Sequence, residues 1–322
     1  MNNELLFSEG AAQSADAPSR TRINRLWLLL VAMAVCVPLW NVVVDPYDVF
    51  GTQYFNHPGD RNERYAKLEA LLEQKKQRQV YDALVVGAST AGVFHTAELN
   101  RRFSERRFYN AAMLSAGFSE IEALLRFHHQ SINPLKQVVL TVDLFQFVDS
   151  PSQGGFMSQH PAISGQSKVS FFWGELWSSS VAGGVSKLIV NGRGTPHMST
   201  DLHTGDYRYG EPTERRSQLV DLAWESRNAA RQHRLREDAI AQLLRIVAWC
   251  QQENITITLL PSPRADGGDA SMVERLQREV ALAAFLVLPP LVSKSDFYDA
   301  THFTGAFASR WLDSIPRLPH KR

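Results

Sequence analysis

Cysteine is nearly absent from this chain. The two present, Cys36 and Cys250, are too few for a disulfide framework, and Cys36 lies in an apolar run that Cys250 is not expected to reach. They say nothing about redox compartment. Neither C-x-x-C nor H-E-x-x-H occurs, and the adjacent His128 and His129 diverge if helical, so no metal site is expected. No G-x-x-x-x-G-K or G-x-G-x-x-G follows a strand signal, which removes the common phosphate and dinucleotide loops and leaves no expected cofactor. An excess of charge of one sign is also missing. Lys plus Arg (34) almost equals Asp plus Glu (33), so no overall field recruits nucleic acid, and no nucleic-acid partner is expected. The densest basic patch, Arg101, Arg102, Arg106 and Arg107, reads as a solvated face.

What the chain does have is length for a large core: 322 residues, 44% of them hydrophobic and 21% charged, enough for one large domain or two small ones. Its longest uncharged run, LWLLLVAMAVCVPLWNVVV from Leu26 to Val44, is 19 residues. As a helix it extends about 28 Å, close to the thickness of a hydrocarbon core. Arg20, Arg22 and Arg25 precede it and Asp45 follows, which puts the N-terminus in the cytoplasm and the rest outside. Trp27 and Trp40 stand near its two ends as interfacial aromatics do, while Pro38 and Asn41 weaken the last turns. A cleaved signal peptide, with its small-residue site at Ala32 to Ala34 in mid-run, and a buried soluble helix are the alternatives. A lipoprotein signal is not, since Val35 and not a small residue precedes Cys36. The expected organisation is a polar cytoplasmic tail over residues 1–25, a transmembrane helix over 26–44, a juxtamembrane segment with a helix over 45–80, and one domain over 81–322.

Along the exterior part, Tyr65, Leu68, Leu71 and Leu72 recur at helical spacing within Asn62 to Gln79. YDALVVGAST reads as a buried strand ending in a tight turn, and Arg106 to Met113 as a second strand. A helix over about Ser119 to Gln130 follows, with Ser119 as its N-cap, and then a buried strand signal over Lys136 to Phe147. A long helix, Leu235 to Gln252, leads directly into the strand ITITLLPSP. Strands alternating with helices predict an α/β fold with a mostly parallel sheet covered on both faces. Residues 149–231 break the pattern with Gly, Ser, His and aromatics, and are expected to form an insertion or lid.

Two segments carry possible chemistry. Gly87-Ala88-Ser89-Thr90 closes a buried strand, and ligands of open parallel sheets bind outside the carboxyl ends of strands. Taken alone, Ser89 reads better as a helix cap, since serine is a preferred residue there. Near the C-terminus, YDATHF places Asp299 three residues before His302, so a carboxylate can hold the imidazole tautomer needed to activate a hydroxyl. Taken alone, that too suits a surface turn capped by Asp299.

Together, the serine turn after the first strand and the late D-x-x-H resemble the SGNH hydrolase superfamily. The likeness is to its membrane-anchored members in bacterial envelope and exopolysaccharide systems, of the alginate O-acetyltransferase type, over roughly Asp45 to Leu318. The resemblance implies a three-layer, flavodoxin-like α/β domain with Ser89 as nucleophile, His302 as base and Asp299 as its orienting carboxylate. YNAAMLSAG is similar to the family's second block, which makes Gly117 an oxyanion donor beside the Ser89 amide. Asn110 is a candidate replacement for the family's third-block asparagine. The chain departs from the family there, carrying Asp143 in Thr141-Val142-Asp143-Leu144, and an ionised carboxylate would repel an oxyanion. An α/β-hydrolase is the nearest rival, since G-A-S-T-A approximates its nucleophile elbow, but too little chain precedes Ser89 for the strands that fold needs. The resemblance further implies an inner-membrane protein with a periplasmic domain, acting on a carbohydrate polymer. Its partners would be a membrane O-acyltransferase or other polysaccharide-assembly proteins. The expected activity is transfer or removal of an acyl group, acetyl in the first place, by a serine esterase or O-acyltransferase. The alternative is a non-catalytic glycan-binding or scaffold protein.

Overall fold

A computed structural model of the chain describes residues 20–45, 48–52, 62–148, 159–178, 198–210, 213–228, 233–280 and 284–315. Residues 1–19 of the expected tail over 1–25 lie outside them. So do residues 149–158, 179–197, 211–212 and 229–231 of the expected insertion.

Seven strands are present among the described residues: β1 (Ala83–Val86), β2 (Phe108–Asn110), β3 (Gln137–Val142), β4 (Met198–Thr200), β5 (Tyr207–Tyr209), β6 (Thr256–Pro261) and β7 (Phe285–Leu286). Five form one parallel sheet in the order β2-β1-β3-β6-β7, and β4 and β5 form a separate antiparallel pair. Every residue of β1 and β3 is buried, as expected of central strands covered on both faces.

Side chains alternate between the two faces. Leu84, Val138 and Ile257 stand in one row across the sheet, and Val86, Leu140 and Leu259 in the next. These pack against helices Glu63–Lys76, Phe118–Phe127, Glu237–Gln252 and Ala270–Val280 through Leu68, Leu71, Ile121, Leu243, Ile246 and Leu276. Ala83, Val85 and Val139 face the other way, onto Leu99 of helix Thr96–Arg102 and Phe307, Trp311 and Leu312 of helix Gly305–Ser314. The result is a three-layer α/β domain.

Several element boundaries move from their expected places, each for a physical reason. The N-terminal helix runs Arg20–Val44, starting six residues before the uncharged stretch, because arginines propagate a helix as well as most residues do. Asn24–Val44 is long and apolar enough to cross a membrane. Helix Glu63–Lys76, capped by the Asn62 side chain on the Tyr65 amide, is built into the domain core rather than standing before it. The Ser119 cap is replaced by Gly117, whose amide is bonded by the Glu120 carboxylate. Glu120 is in turn fixed by Arg64 at 2.8 and 3.0 Å, so a distant ion pair decides where the helix begins. β2 covers only three residues of the expected Arg106 to Met113, and the strand expected to reach Phe147 ends at Val142, where a short helix Phe145–Val148 begins.

Candidate active site

The serine turn begins where β1 ends. Gly87 has φ +147, and a Cβ there would lie 2.1 Å from Thr141 Oγ1 on β3, so the chain can turn closely over β3 only with glycine. A short 3₁₀ helix, Ser89–Val93, follows, with Ser89 half-buried at the C-terminal edge of the sheet. Its amide lies in the first turn of that helix, among the N-terminal donors that have no intrahelical partner.

His302 reaches the same place from the far end of the chain. Phe297 and Phe303 form an isolated antiparallel bridge, and the Tyr298 amide donates to the His302 carbonyl at 2.7 Å. Phe303 is wholly buried, 5.8 Å from the ring of Phe94 and 5.3 Å from that of Phe307, and so anchors the turn in the core. The Asp299 carboxylate accepts the amides of Thr301 and His302, each at 2.9 Å, which closes the turn on itself.

Within this frame Ser89 Oγ lies 2.7 Å from His302 Nε2. His302 Nδ1 lies 2.9 Å from both Asp299 oxygens. The network selects the tautomer with the proton on Nδ1, donated to Asp299, leaving Nε2 to accept the serine hydroxyl. Burial would raise the Asp299 carboxyl. The bond and charge of His302, with the two turn amides, outweigh burial and hold the carboxyl well below the usual carboxylate range. Arg216, on helix Glu214–Glu225, adds a guanidinium 3.8 Å from Asp299 and 4.8 Å over the Tyr298 ring.

The two other expected oxyanion donors are elsewhere engaged. The Gly117 amide donates to Glu120 at 3.3 Å as part of the helix cap. Asn110 is wholly buried, and its Nδ2 donates to the carbonyls of Ala91, Gly92 and Phe94 while its Oδ1 accepts the Ala112 amide. Asn110 therefore braces the back of the serine turn and offers no free donor. Asp143 is buried with its carboxylate bonded by Thr90 and Ser262, both hydroxyl donors.

Tyr209 was not singled out by sequence. Its ring lies 5.9 Å from that of His302 and 4.9 Å from that of Tyr298, and its hydroxyl donates to the Ser89 carbonyl at 3.3 Å. Burial pushes its phenol above the ordinary tyrosine value. It comes from β5, so the stretch expected to be an insertion or lid supplies one wall of the site. The signal was present as Tyr207 and Tyr209 on either side of Arg208, a period of two inside a polar segment.

No family model matches the chain, and no curated protein matches it. Among solved structures, a candidate acylhydrolase from Bacteroides fragilis NCTC 9343 is similar over 77% of this chain and 95% of its own, with 11% identity and a TM-score of 0.39. At that distance the likeness carries no argument about function.

Proposed function

We propose that the chain is a membrane-anchored serine acyl hydrolase or O-acyltransferase of SGNH type. The observation that carries this reading is the unbroken line Ser89 Oγ, His302 Nε2, His302 Nδ1 and Asp299. In it, His302 takes the hydroxyl proton as Ser89 attacks an acyl carbonyl, then returns a proton to the departing alkoxide. Asp299 stays ionised throughout and stabilises the imidazolium between the two transfers. The Ser89 amide is one donor to the oxyanion. With Gly117 and Asn110 engaged elsewhere, turnover below that of a fully equipped esterase is expected, since each missing donor costs about 100- to 1,000-fold.

The anchor is helix Asn24–Val44, with Arg20, Arg22 and Arg25 on the cytoplasmic side and the domain in the periplasm. This placement, and a half-buried serine beside a tyrosine wall, suit a small acyl group such as acetyl, carried on a cell-envelope polysaccharide. A membrane O-acyltransferase or other polysaccharide-assembly protein would be the partner. Water or a sugar hydroxyl completes the reaction from the same acyl-enzyme, giving hydrolysis or transfer.

The test is turnover of a chromogenic acetyl ester by the full chain in detergent. Wild type should release the chromophore and Ser89→Ala should not. Equal release would remove Ser89 from the mechanism. The engaged Gly117 and Asn110 favour a second reading, a non-catalytic glycan-binding or scaffold domain. A fluorophosphonate that labels wild type but not Ser89→Ala would exclude it.

A further inference from the structure

Helix Lys168–Ser178, KVSFFWGELWS, has two unlike faces. Phe171 and Glu175 are buried, and Phe171 stacks on Tyr65 with ring centroids 5.2 Å apart. On the opposite face Val169, Trp173 and Trp177, each four residues from the last, are 81%, 63% and 44% exposed. The two tryptophan rings lie 6.0 Å apart, edge to face. A soluble domain has little reason to hold two neighbouring tryptophans in water, whereas a bilayer interface favours them.

The helix also touches the N-terminal helix directly. Asn41 is wholly buried, and its Nδ2 donates to the Leu176 carbonyl at 2.8 Å. Phe50, just beyond the N-terminal helix, packs on Phe172 with centroids 6.0 Å apart.

Length decides where this contact lies relative to a membrane. Between Arg25 and the first residues covered by the domain, the chain exposes Leu26 to Cys36. Those residues rise only about 17 Å, little more than half of a hydrocarbon core of about 30 Å. A span therefore needs Val37 to Val43 as well, and these are the residues beside helix Lys168–Ser178. If the first helix crosses, the second must reach the outer boundary of the bilayer with it.

We propose that helix Lys168–Ser178 lies in the membrane interface beside the outer end of the anchor, with Val169, Trp173 and Trp177 among the lipid headgroups and upper acyl chains. This inference rests on reading Asn24–Val44 as a membrane span. The domain is then held to the bilayer at two places, which fixes its orientation instead of leaving it to pivot on a single tether.

The test uses the full chain carrying Cys36→Ala, in which the remaining Cys250 is wholly buried and shielded from labelling. Val169→Cys is labelled with bimane and reconstituted into phosphatidylcholine and phosphatidylglycerol vesicles, with or without phospholipid brominated close to the headgroup. Leu291→Cys, at a 97% exposed position in the segment after β7, is the control. The expected result is emission from the Val169 probe falling roughly two-fold in brominated vesicles, as for a probe at the acyl boundary, with the Leu291 probe unchanged. Protein that floats with the vesicles while the Val169 probe remains unquenched would overturn the interfacial helix and keep the anchor. Equal quenching of both probes would overturn it as well. Protein that fails to float would overturn the anchor, and the inference with it.

Discussion

The Thr90 hydroxyl lies 2.9 and 2.8 Å from the two carboxylate oxygens of Asp143, so the residue after Ser89 is tied to the end of β3. The Ser262 hydroxyl, just past β6, is 3.1 Å from Thr90 Oγ1 and also bonds Asp143. Burial raises the Asp143 carboxyl, against the opposing pull of these hydroxyls and of nearby His302 and Arg264. Asp143, at the end of β3, is thus a clamp on the serine turn.

Breaking that clamp should cost stability. Thr90→Val leaves a buried carboxylate short of a donor, and a loss of about 1–3 kcal/mol is expected in urea denaturation. A wild-type midpoint in this variant would mean that the turn is held by other contacts.

Asp299→Asn should preserve the fold, because an amide oxygen can still accept the Thr301 and His302 backbone N–H groups. It should lower kcat on a chromogenic ester about 1,000- to 10,000-fold, since the imidazole loses both its tautomer control and its countercharge. An effect confined to KM would contradict the assigned role.

Gly92→Ala tests the link between the serine turn and the tyrosine wall. A Cβ at Gly92 would stand 1.8 Å from Tyr207 Cδ2. Tyr207 cannot yield easily, since its hydroxyl donates to Glu63 at 2.5 Å and to the Ala112 carbonyl at 3.1 Å. Thermal denaturation should show a loss of about 1–3 kcal/mol, the usual cost of overpacking, together with reduced ester turnover as Tyr209 shifts with its strand.

Acid sensitivity should trace to His128. Burial brings this imidazole down to about 4, against the opposing bond from Nδ1 to the Asn133 carbonyl at 3.1 Å. The unfolded chain protonates near the ordinary histidine value of about 6.5, so between that pH and about 4 it binds more protons than the folded chain. Stability from this group is therefore complete above the unfolded value and falls as pH drops towards 4. The urea midpoint of wild type should decline between pH 7 and pH 5 more steeply than that of His128→Phe. Parallel slopes would show that other groups govern the decline.

Much of the fold was legible because central strands of a parallel sheet are buried on both sides and leave unbroken apolar runs. Leu84 to Val86 and Val138 to Leu140 are such runs, and Ile257 to Leu260 is one broken only by the buried Thr258. β7, at two residues, and β4, at three, are too short to establish any period, and β5 shows one only as the two tyrosines around Arg208 in an otherwise polar segment. The pairing of Asp299 with His302 was legible because it is local, a carboxylate closing a turn three residues long. Gly117 and Asn110 could not be judged in the same way. Their availability depends on partners that only tertiary packing brings near: Glu120, itself held by Arg64, and the three carbonyls behind the serine turn. The Ser119 cap failed for the same reason.

The hydrogen bond between Ser89 and His302 joins residues 213 positions apart. During synthesis the serine leaves the ribosome 213 residues before its imidazole, which is seated by Phe303 and helix Gly305–Ser314. No intermediate lacking that later segment can pair the two, however much of the sheet has formed. Chain order thus acts as a timer: the hydroxyl stays inert through that stretch of elongation and gains its base only once the later segment has emerged and folded.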